Sequence, residues 1–411
     1  MNPHVAQLPC MEVFSSQDGE LALHGIPITE LAERAGQTPF FAYARTMIDQ
    51  RVTTLRDKLP RGLHLHYAIK ANPMPELVQH LAKRVDGFDV ASAGELELAL
   101  KTGTAPADIT IAGPGKRDSE LARAVDAGVI INLESPGELE RLARQAEAQG
   151  ITPSVALRIN PDFKLKASGM QMGGGPKQFG VDAEQAPAVL RRIGELGLAF
   201  RGFQIFAGSQ NLNTDALISA QDGIFELFNR LAAEAPAPVT LLNMGGGLGI
   251  PYFANDRPLD LDRYGEHLSR HVEACRNKFS DAQIVLELGR YLVGEAGIYV
   301  VRIIDRKVSR GQIFLVTDGG MHHHLAASGN LGQTIRRDYP IALATAIDQP
   351  ATEEVCVVGP LCTPLDILGD RVALPQAQPG DLIVVFQSGA YGLSASPSGF
   401  LNHPPAIELL V

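Results

Sequence analysis

The sequence predicts an α/β protein made of a (β/α)8 barrel followed by a separate antiparallel β domain, arranged as a barrel or sandwich. Three observations lead to this fold class. Short β-branched apolar segments alternate with amphipathic helical segments, eight strand candidates occur, and residues 40–289 match the roughly 250 residues typical of a closed barrel. An open doubly wound sheet is the alternative arrangement of the same strands.

The barrel strand candidates are short apolar runs bounded by polar or turn-forming residues. They are residues 64–69, 87–91, 109–113, 129–133, 154–159, 200–206, 239–244 and 283–287. Helical periodicity fills most of the intervals, as at Pro75–Lys83, where Leu77, Val78 and Leu81 share one face. A second helix is predicted to begin with Ser135 as N-cap and Pro136 at the first position.

The pattern changes after Arg290, where short strand candidates are separated by Gly, Pro and Asp. The first 36 residues are also strand-like and then form one short helix that ends at Gly36. We therefore expect a barrel over residues 37–289 and a β domain formed by residues 1–36 and 290–411 together. Its strand candidates are residues 297–304, 313–317, 355–359, 371–374 and 382–386.

Composition excludes several classes of function. The chain has 36 Lys+Arg against 46 Asp+Glu, a net charge of -10, which argues against a nucleic-acid binder. No apolar run reaches the ~20 residues of a membrane span, and the N-terminus lacks a signal-peptide pattern. The cysteines are not arranged as C-x-x-C pairs, which predicts reduced thiols in a cytoplasmic protein. They are Cys10, Cys275, Cys356 and Cys362.

Chemistry in a barrel concentrates at the C-terminal ends of its strands. Lys70 ends the first barrel strand, where partial desolvation would lower its pKa and allow a Schiff base with a carbonyl. An isolated lysine after a strand is more often simply solvated.

Gly245–Gly247 follow the seventh strand and let backbone N–H groups converge on a phosphate, although such a run is also an ordinary tight turn. Glu287 ends the eighth strand, where a buried carboxylate needs a cation, either Arg290 or a ligand.

His322–His324 resemble a metal-binding tract. Consecutive residues of a strand point to opposite faces, so three adjacent histidines do not easily bind one ion, and we predict no metal there.

Together these residues resemble the fold type III pyridoxal-phosphate decarboxylases. This alanine-racemase-like barrel group contains diaminopimelate, ornithine and arginine decarboxylases. Six motifs in the same order carry the resemblance: Tyr67–Asn72, Phe88–Ser92, Gly208–Gln210, Gly245–Gly247, Glu287–Arg290 and Gly359–Cys362. Within the group, stretches such as MGGGPKQFG, GSQNLNT and GPLCTPLDILGD are similar to exosortase A-associated decarboxylases and to glutamyl-[acyl-carrier protein] decarboxylase.

The resemblance implies pyridoxal 5'-phosphate as cofactor and a homodimer with shared active sites. It assigns Lys70 to covalent binding of the cofactor, Glu287 to its pyridine nitrogen, and Cys362 of the neighbouring subunit to protonation of the α-carbon. The phosphate would be bound by Ser209, Gly245, Gly246, Gly247, Gly289, Arg290 and Tyr391. The ring would be supported by Asp89, Arg158 and Phe206.

The chain departs from this family at several positions. Phe206 stands where a histidine usually stacks on the ring, and Thr363–Asp366 replace the Glu-Ser-Gly-Asp of diaminopimelate decarboxylases. These changes argue against free diaminopimelate as substrate and leave Arg337, Tyr339 and Asp366 as substrate-binding candidates. The implied substrate is an amino acid or an aminoacyl group on an acyl-carrier protein. The alternatives are an amino-acid racemase on the same fold and a non-catalytic homologue that binds the cofactor.

Overall fold

The structure, a computed structural model, describes residues 13–164, 170–253, 255–331, 333 and 336–411. Backbone contacts divide the described chain into two compact units. One contains residues 52–249 and 258–289, and the other contains the residues up to Arg51 together with 250–257 and 290–411. Cys10 and most of the loop before Met170 lie outside the described residues.

The first unit contains a closed parallel barrel. Its strands are Leu63–Ala68, Gly87–Val90, Ile109–Ile111, Ile130–Leu133, Ser154–Asn160, Ala199–Ile205, Leu241–Asn243 and Gln283–Leu288. Each strand pairs in parallel with the next, and the eighth pairs with the first, with Leu286 opposite Leu65. This closure confirms the predicted fold class and all eight strands, so the open-sheet alternative is wrong. A short strand, Val181–Asp182, is added in parallel beside the fifth.

Helices of this unit follow the strands, and several begin at polar caps. The Ser135 hydroxyl accepts a hydrogen bond from the Glu138 amide at 3.1 Å, and Pro136 occupies the first turn, as the sequence predicts. Asp260 caps the last helix by accepting from the Arg263 amide at 3.1 Å. The helices are Pro75–Leu81, Ala93–Lys101, Asp118–Ala127, Pro136–Gln149, Ala186–Glu195, Thr214–Ala232 and Leu261–Lys278.

The barrel interior is filled by side chains. Ile130, Ala156, Leu241 and Val285 come from four strands and form one buried cluster. Burial of a side chain the size of Val or Ile contributes about 1.5–3 kcal/mol. The barrel is therefore a packed core, and polar side chains are free to gather at its C-terminal rim.

The second unit is a mixed β-barrel-like sheet. Its strands are Phe40–Tyr43, Gly297–Ser309, Gln312–Thr317, Ile341–Leu343, Glu353–Val358, Ile367–Leu374, Leu382–Val385 and Ile407–Leu410. Most pairs are antiparallel, as predicted. Two are parallel, however: Gln312–Thr317 with Glu353–Val358, and Phe40–Tyr43 with Ile407–Leu410. A parallel pair needs a long crossover, and residues 318–352 provide one of them.

The N-terminal segment forms its own antiparallel sheet from Phe14–Gln17, Glu20–Leu23 and Ile26–Pro27. Helix Ile28–Ala35 follows and ends at Gly36, whose φ of 76° lies in the left-handed region, as expected for a C-cap glycine. Strand Phe40–Tyr43 is hydrogen bonded within the second sheet although the sequence assigned it to the barrel range. The predicted domain limits, 37–289 against 1–36 and 290–411, stay a prediction.

Apart from helix Arg45–Lys58, the remaining elements are short. Helix Arg45–Lys58 precedes the first barrel strand, and Arg290–Val293 follows the last. Met170–Gln171 pairs with Gly208–Ser209. Single helical turns occur at Ile69–Ala71, Pro106–Asp108, Gly294–Ala296, Ala344–Ala346, Leu393–Ala395 and Phe400–Asn402. In the described part of the chain, no helix has both the length and the apolar character to cross a bilayer.

Candidate active site

Lys70 lies at the end of the first barrel strand, in the single helical turn Ile69–Ala71. The two flanking residues are fully buried, whereas the lysine side chain is 45% exposed. The turn is held in place because the Tyr67 hydroxyl donates to the Asn72 carbonyl at 2.9 Å. Burial on both sides of the lysine therefore directs its amine out of the core at the barrel rim.

Glu287 lies one residue before the end of the eighth barrel strand, and its carboxylate lies near that amine. Lys70 Nζ lies 3.9 Å from Glu287 Oε1, which is longer than a hydrogen bond. The other oxygen, Oε2, accepts a hydrogen bond from Gln204 Nε2 at 2.7 Å. Glu287 is 5% exposed, so this carboxylate has left water and would be stabilised by a further cationic group.

Phe206 lies directly after the sixth barrel strand. Lys70 Nζ lies 5.4 Å from the centroid of its ring, within the range of a cation–π contact. The structure therefore brings Lys70, Glu287 and Phe206 together, three of the residues that the sequence singles out.

Asp89 lies one residue before the end of the second barrel strand and is buried. It accepts a hydrogen bond from the Thr110 hydroxyl, and its Oδ2 lies 3.8 Å from His66 Nδ1. Burial and the negative charge of Glu287 hold the pKa of Asp89 well above its ordinary value. Burial, together with His64, lowers the pKa of His66 to about 3, so this imidazole is neutral beside the aspartate.

Arg158 is buried on the fifth strand and is occupied by an ion pair. Its Nη1 donates to Glu134 Oε1 at 2.6 Å, and its guanidinium lies 5.1 Å from the Phe179 ring centroid. Glu134 also accepts the amide hydrogens of Gly113 and Gly180. The Glu134 carboxylate therefore joins Arg158 to two loops of the barrel rim.

The run Gly245–Gly247 follows the seventh strand in a tightly packed turn. The Gly245 amide donates to Asn243 Oδ1 at 2.8 Å, and a side chain at Gly246 would overlap the Glu287 carbonyl oxygen. Only glycine therefore fits beside the eighth strand. The Asn211 amide donates to the Gly247 carbonyl at 2.9 Å, which connects the turn to the loop that carries Ser209.

Gly289 is the last residue of the barrel unit, and a β-carbon at this position would lie only 2.9 Å from that of Ala71. Arg290 opens the second unit, where its Nη1 donates to the Tyr252 hydroxyl at 2.6 Å. The guanidinium lies 4.6 Å from the ring centroid of Tyr391, whose φ of 53° is unusual for a tyrosine. Arg290 Nε is buried and has no hydrogen-bond partner among the described residues.

The substrate-binding candidates Arg337 and Tyr339 contact other side chains of the second unit. Arg337 lies 3.7 Å from the Phe253 ring centroid and 3.9 Å from Asp256 Oδ1. Tyr339 packs 4.8 Å from the Tyr252 ring, and burial raises its pKa well above the ordinary value. Tyr339 is therefore a neutral phenol near Arg290.

Cys362 and Asp366 share one loop of the second unit. The thiol is free and its residue is exposed. The Asp366 carboxylate is buried and accepts the amide hydrogens of Met321 at 2.6 Å and Leu361 at 2.9 Å. Asp366 therefore fixes the backbone that presents Cys362.

The three histidines of residues 322–324 do not converge. His323 Nε2 contacts the Pro404 carbonyl at 2.8 Å, and His324 Nε2 contacts the Ser388 hydroxyl at 2.9 Å. His322 is fully buried, and neither ring nitrogen has a hydrogen-bond partner among the described residues. The tract therefore packs as buried rings, and the His322 and His323 ring centroids lie 3.8 Å apart.

Comparison with known families decides the class of this protein. Residues 45–294 match the family described as pyridoxal-dependent decarboxylase, pyridoxal binding domain. The chain belongs to the pyridoxal-dependent decarboxylases. The family identity makes the protein an amino-acid decarboxylase that uses pyridoxal phosphate, and it accounts for a lysine and a buried glutamate at one barrel rim.

The relatives of this decarboxylase include enzymes with different substrates. It is 38% identical to the L-glutamyl-[BtrI acyl-carrier protein] decarboxylase of Niallia circulans, over 93% of this chain and 90% of the relative. It is 33% identical to diaminopimelate decarboxylase of Aquifex aeolicus, over 96% and 91%. The crystal structure of diaminopimelate decarboxylase from Helicobacter pylori complexed with L-lysine superposes with a TM-score of 0.82 at 26% identity, covering 93% of this chain and 94% of that one.

The barrel residues of this decarboxylase fit the cofactor. Buried polar atoms near the rim that lack a hydrogen-bond partner among the described residues include Asp89 Oδ2, Gln204 Oε1 and Asn243 Nδ2. Glu287 supplies a buried carboxylate that suits a protonated pyridine. When bound, pyridoxal phosphate supplies the electron sink that accepts the electrons of the broken carbon–carboxyl bond.

Several polar residues near the site are not identified by the sequence motifs. Gln204 orients Glu287, His66 lies beside Asp89, and Glu134 binds Arg158. Each is a polar residue within or directly after an apolar barrel strand, which is the signal that could have identified it. Their partners come from other strands of the barrel, so the sequence does not pair them.

Proposed function

We propose that this decarboxylase removes the α-carboxyl group of an aminoacyl unit, glutamyl or similar, that is tethered to a carrier protein. We further propose that it does so as a homodimer with shared active sites. The single observation that carries the proposal is the chemistry of the loop that follows Cys362.

That loop offers no free charge to a substrate. Cys362 is exposed, Thr363 and Pro364 are uncharged, and the Leu365 side chain is 57% exposed. The carboxylate of Asp366, the first charged residue of the loop, already accepts two backbone amide hydrogens. A free amino acid with a charged distal group is usually held by charged or hydrogen-bonding partners. A neutral thioester or amide needs none, so the loop suits a substrate whose distal end is linked to a carrier.

The relatives support the same choice. The Niallia circulans relative is named for a carrier-bound glutamyl substrate and is 38% identical, compared with 33% for the Aquifex aeolicus diaminopimelate decarboxylase.

The proposed roles are those that the family resemblance implies. Lys70 binds the cofactor covalently, Glu287 pairs with its pyridine nitrogen, and Cys362 of a partner subunit delivers a proton to the α-carbon. Phosphate binding is assigned to Ser209, Gly245, Gly246, Gly247, Gly289, Arg290 and Tyr391. Ring support is assigned to Asp89, Arg158 and Phe206, and substrate contacts to Arg337 and Tyr339. Asp366 acts on the substrate only indirectly, by holding the Cys362 loop.

The test is CO2 release from carrier-loaded glutamate compared with free glutamate, ornithine, lysine and diaminopimelate. We expect the carrier-loaded substrate to have the highest kcat/KM, with no release in Lys70→Ala. The carrier protein with its unloaded prosthetic arm is the control. Equal or faster turnover of a free amino acid would refute the tethered substrate, and racemisation without CO2 release would support the racemase alternative.

The similarity to exosortase A-associated decarboxylases and the cytoplasmic location stay predictions, since none of the relatives described above addresses them.

A further inference from the structure

A cluster of side chains that can bind a metal ion lies on the outer helices of the barrel unit. It consists of Asp222 on helix Thr214–Ala232, and of His267 and His271 on helix Leu261–Lys278. One ligand atom from each residue can be chosen so that all three lie within 4.8 Å of one another. None of these residues belongs to the rim chemistry described above.

The two imidazoles converge on a single oxygen. His267 Nε2 lies 2.9 Å and His271 Nε2 lies 2.8 Å from Asp222 Oδ1. The histidines are four residues apart, which places them on one face of the helix, one turn above the other. Both nitrogens therefore point at the same place, which is the arrangement that a bound cation requires.

Helix packing does not by itself explain this convergence. The same two helices are already joined by Arg263 with Asp215 at 2.5 Å and by Lys278 with Asn229 at 2.8 Å. Asp222 lies midway, seven residues from each of these partners on its helix. Its side chain is 57% exposed, and exposed carboxylates gain little from such hydrogen bonds.

One ring of the cluster is also fixed in orientation. His271 stacks on the buried Phe225 with centroids 4.6 Å apart and an interplanar angle of 2°. The Nε2 edge of the ring is consequently held toward Asp222. A ligand held in place by its surroundings loses less conformational entropy when the ion binds.

We propose that Asp222, His267 and His271 form a Zn²⁺ site that joins the two helices. Two imidazoles and a carboxylate suit Zn²⁺, and water would complete a tetrahedral set. Bonds of about 2.0–2.1 Å place tetrahedral ligand atoms roughly 3.4 Å apart, so only a small rotation of the exposed Asp222 is needed. The ion replaces the protons that both Nε2 atoms would otherwise donate.

The test uses the untagged, cofactor-loaded enzyme after chelator treatment. Calorimetric titration with Zn²⁺ alone is expected to show one saturable site per chain, together with a rise in thermal midpoint. His267→Gln and His271→Gln keep a donor for Asp222 but lose the metal ligand, and each should weaken binding by at least about 100-fold. Asp222→Asn should weaken it as well. His403→Gln, which lies elsewhere, should bind as the parent does.

Co²⁺ provides an independent readout of the ligand set. Titration of Co²⁺ should produce the visible absorption of a tetrahedral nitrogen–oxygen site in the parent, and not in the His267→Gln or His271→Gln variants. Far-ultraviolet circular dichroism without metal establishes that each variant is folded. The absence of one-per-chain Zn²⁺ binding, or equal binding by parent and variants, would overturn the proposal.

Discussion

Lys70 Nζ lies 3.9 Å from Glu287 Oε1, although the two residues are 217 positions apart in the sequence. The distance brings the amine and a buried carboxylate to the same rim without a direct hydrogen bond. A cationic ring held at this rim would meet a desolvated carboxylate, and their electrostatic attraction would therefore be strong. The relationship explains why one family motif places a lysine after the first strand and another places a glutamate at the end of the eighth.

Glu287→Gln removes the negative charge while keeping the shape. We expect CO2 release to fall on the order of 10²–10³-fold, because the amide no longer stabilises a protonated pyridine. Cofactor binding should persist, with a changed visible absorption. Steady-state CO2 release and an absorption spectrum measure both effects. Glu97→Gln, on an exposed helix surface, is the matched control, and equal losses in the two variants would contradict the role of Glu287.

Cys362→Ala should lower CO2 release on the order of 10²–10⁴-fold, the range typical of a lost acid–base group. Cys356→Ala is the control, because that thiol is buried and hydrogen bonded to Gln312 at 2.9 Å and Asp370 at 3.3 Å. Its replacement should affect stability more than rate. Kinetics in deuterated water, with mass analysis of the product, report where the proton enters. An unchanged rate in Cys362→Ala would exclude this thiol as the proton donor.

A mixture of Lys70→Ala and Cys362→Ala chains tests whether the active sites are shared. If each site combines residues from two subunits, half of the dimers in an equal mixture are mixed, and each has one intact site. Activity should then recover to about one quarter of the parent value. Each variant alone should stay inactive. Sedimentation of the mixture establishes that the dimers have formed, and no recovery in mixed dimers would place both residues in one subunit.

Lys116 and Glu138 form a buried ion pair at 2.8 Å, with each side chain 3% exposed. Lys116 also donates to the Gly113 and Asn132 carbonyls at 2.9 and 2.8 Å. Lys116→Met should destabilise the fold by about 3–5 kcal/mol, because it leaves a carboxylate buried without its cation. Chemical denaturation measures the loss. The double variant with Glu138→Met should recover a large part of it, and a double variant as unstable as the single one would contradict this explanation.

His324 makes stability depend on pH. Burial lowers the pKa of His324 to about 3, whereas an unfolded histidine titrates near 6.5. Between these values the unfolded state binds more protons, so stability falls as the pH falls from about 6.5 toward 3. His324→Gln keeps a partner for Ser388 and should reduce the slope by up to about 1.4 kcal/mol per pH unit. Urea denaturation between pH 4 and pH 7 measures it, and an unchanged slope would contradict the buried neutral imidazole.

The local sequence pattern is sufficient to predict the barrel strands, the Ser135 cap and the helix end at Gly36. These features depend on side-chain periodicity and cap chemistry within a few residues. The parallel pairs of the second unit could not be found in this way. The pairing of Phe40–Tyr43 with Ile407–Leu410 joins segments from opposite ends of the chain, and pairing over such distances leaves no local signal.

The residues of the candidate site also fall into two groups, those that sequence motifs identify and those that only the folded structure identifies. Its motifs identified Lys70, Glu287 and the glycine turn, because each lies directly after a strand or at its end. Only the folded structure shows the remaining contacts. They are the polar contacts of Gln204, Asp89, His66 and Glu134 and the group formed by Asp222, His267 and His271. Whether two polar side chains meet depends on strand register, helix rotation and burial.

By itself, the sequence determined the fold class, the order of the barrel strands and the family motifs. Hydrophobic periodicity and polar residues at strand ends depend only on residues that are close together in the sequence. Only the tertiary structure decided which charges are buried and which groups they meet. It showed that Asp366 holds the loop backbone, that Arg158 is occupied by Glu134, and that Glu287 faces Lys70 across 3.9 Å. These contacts join residues far apart in sequence, and their electrostatic strength depends on how much water the folded chain excludes.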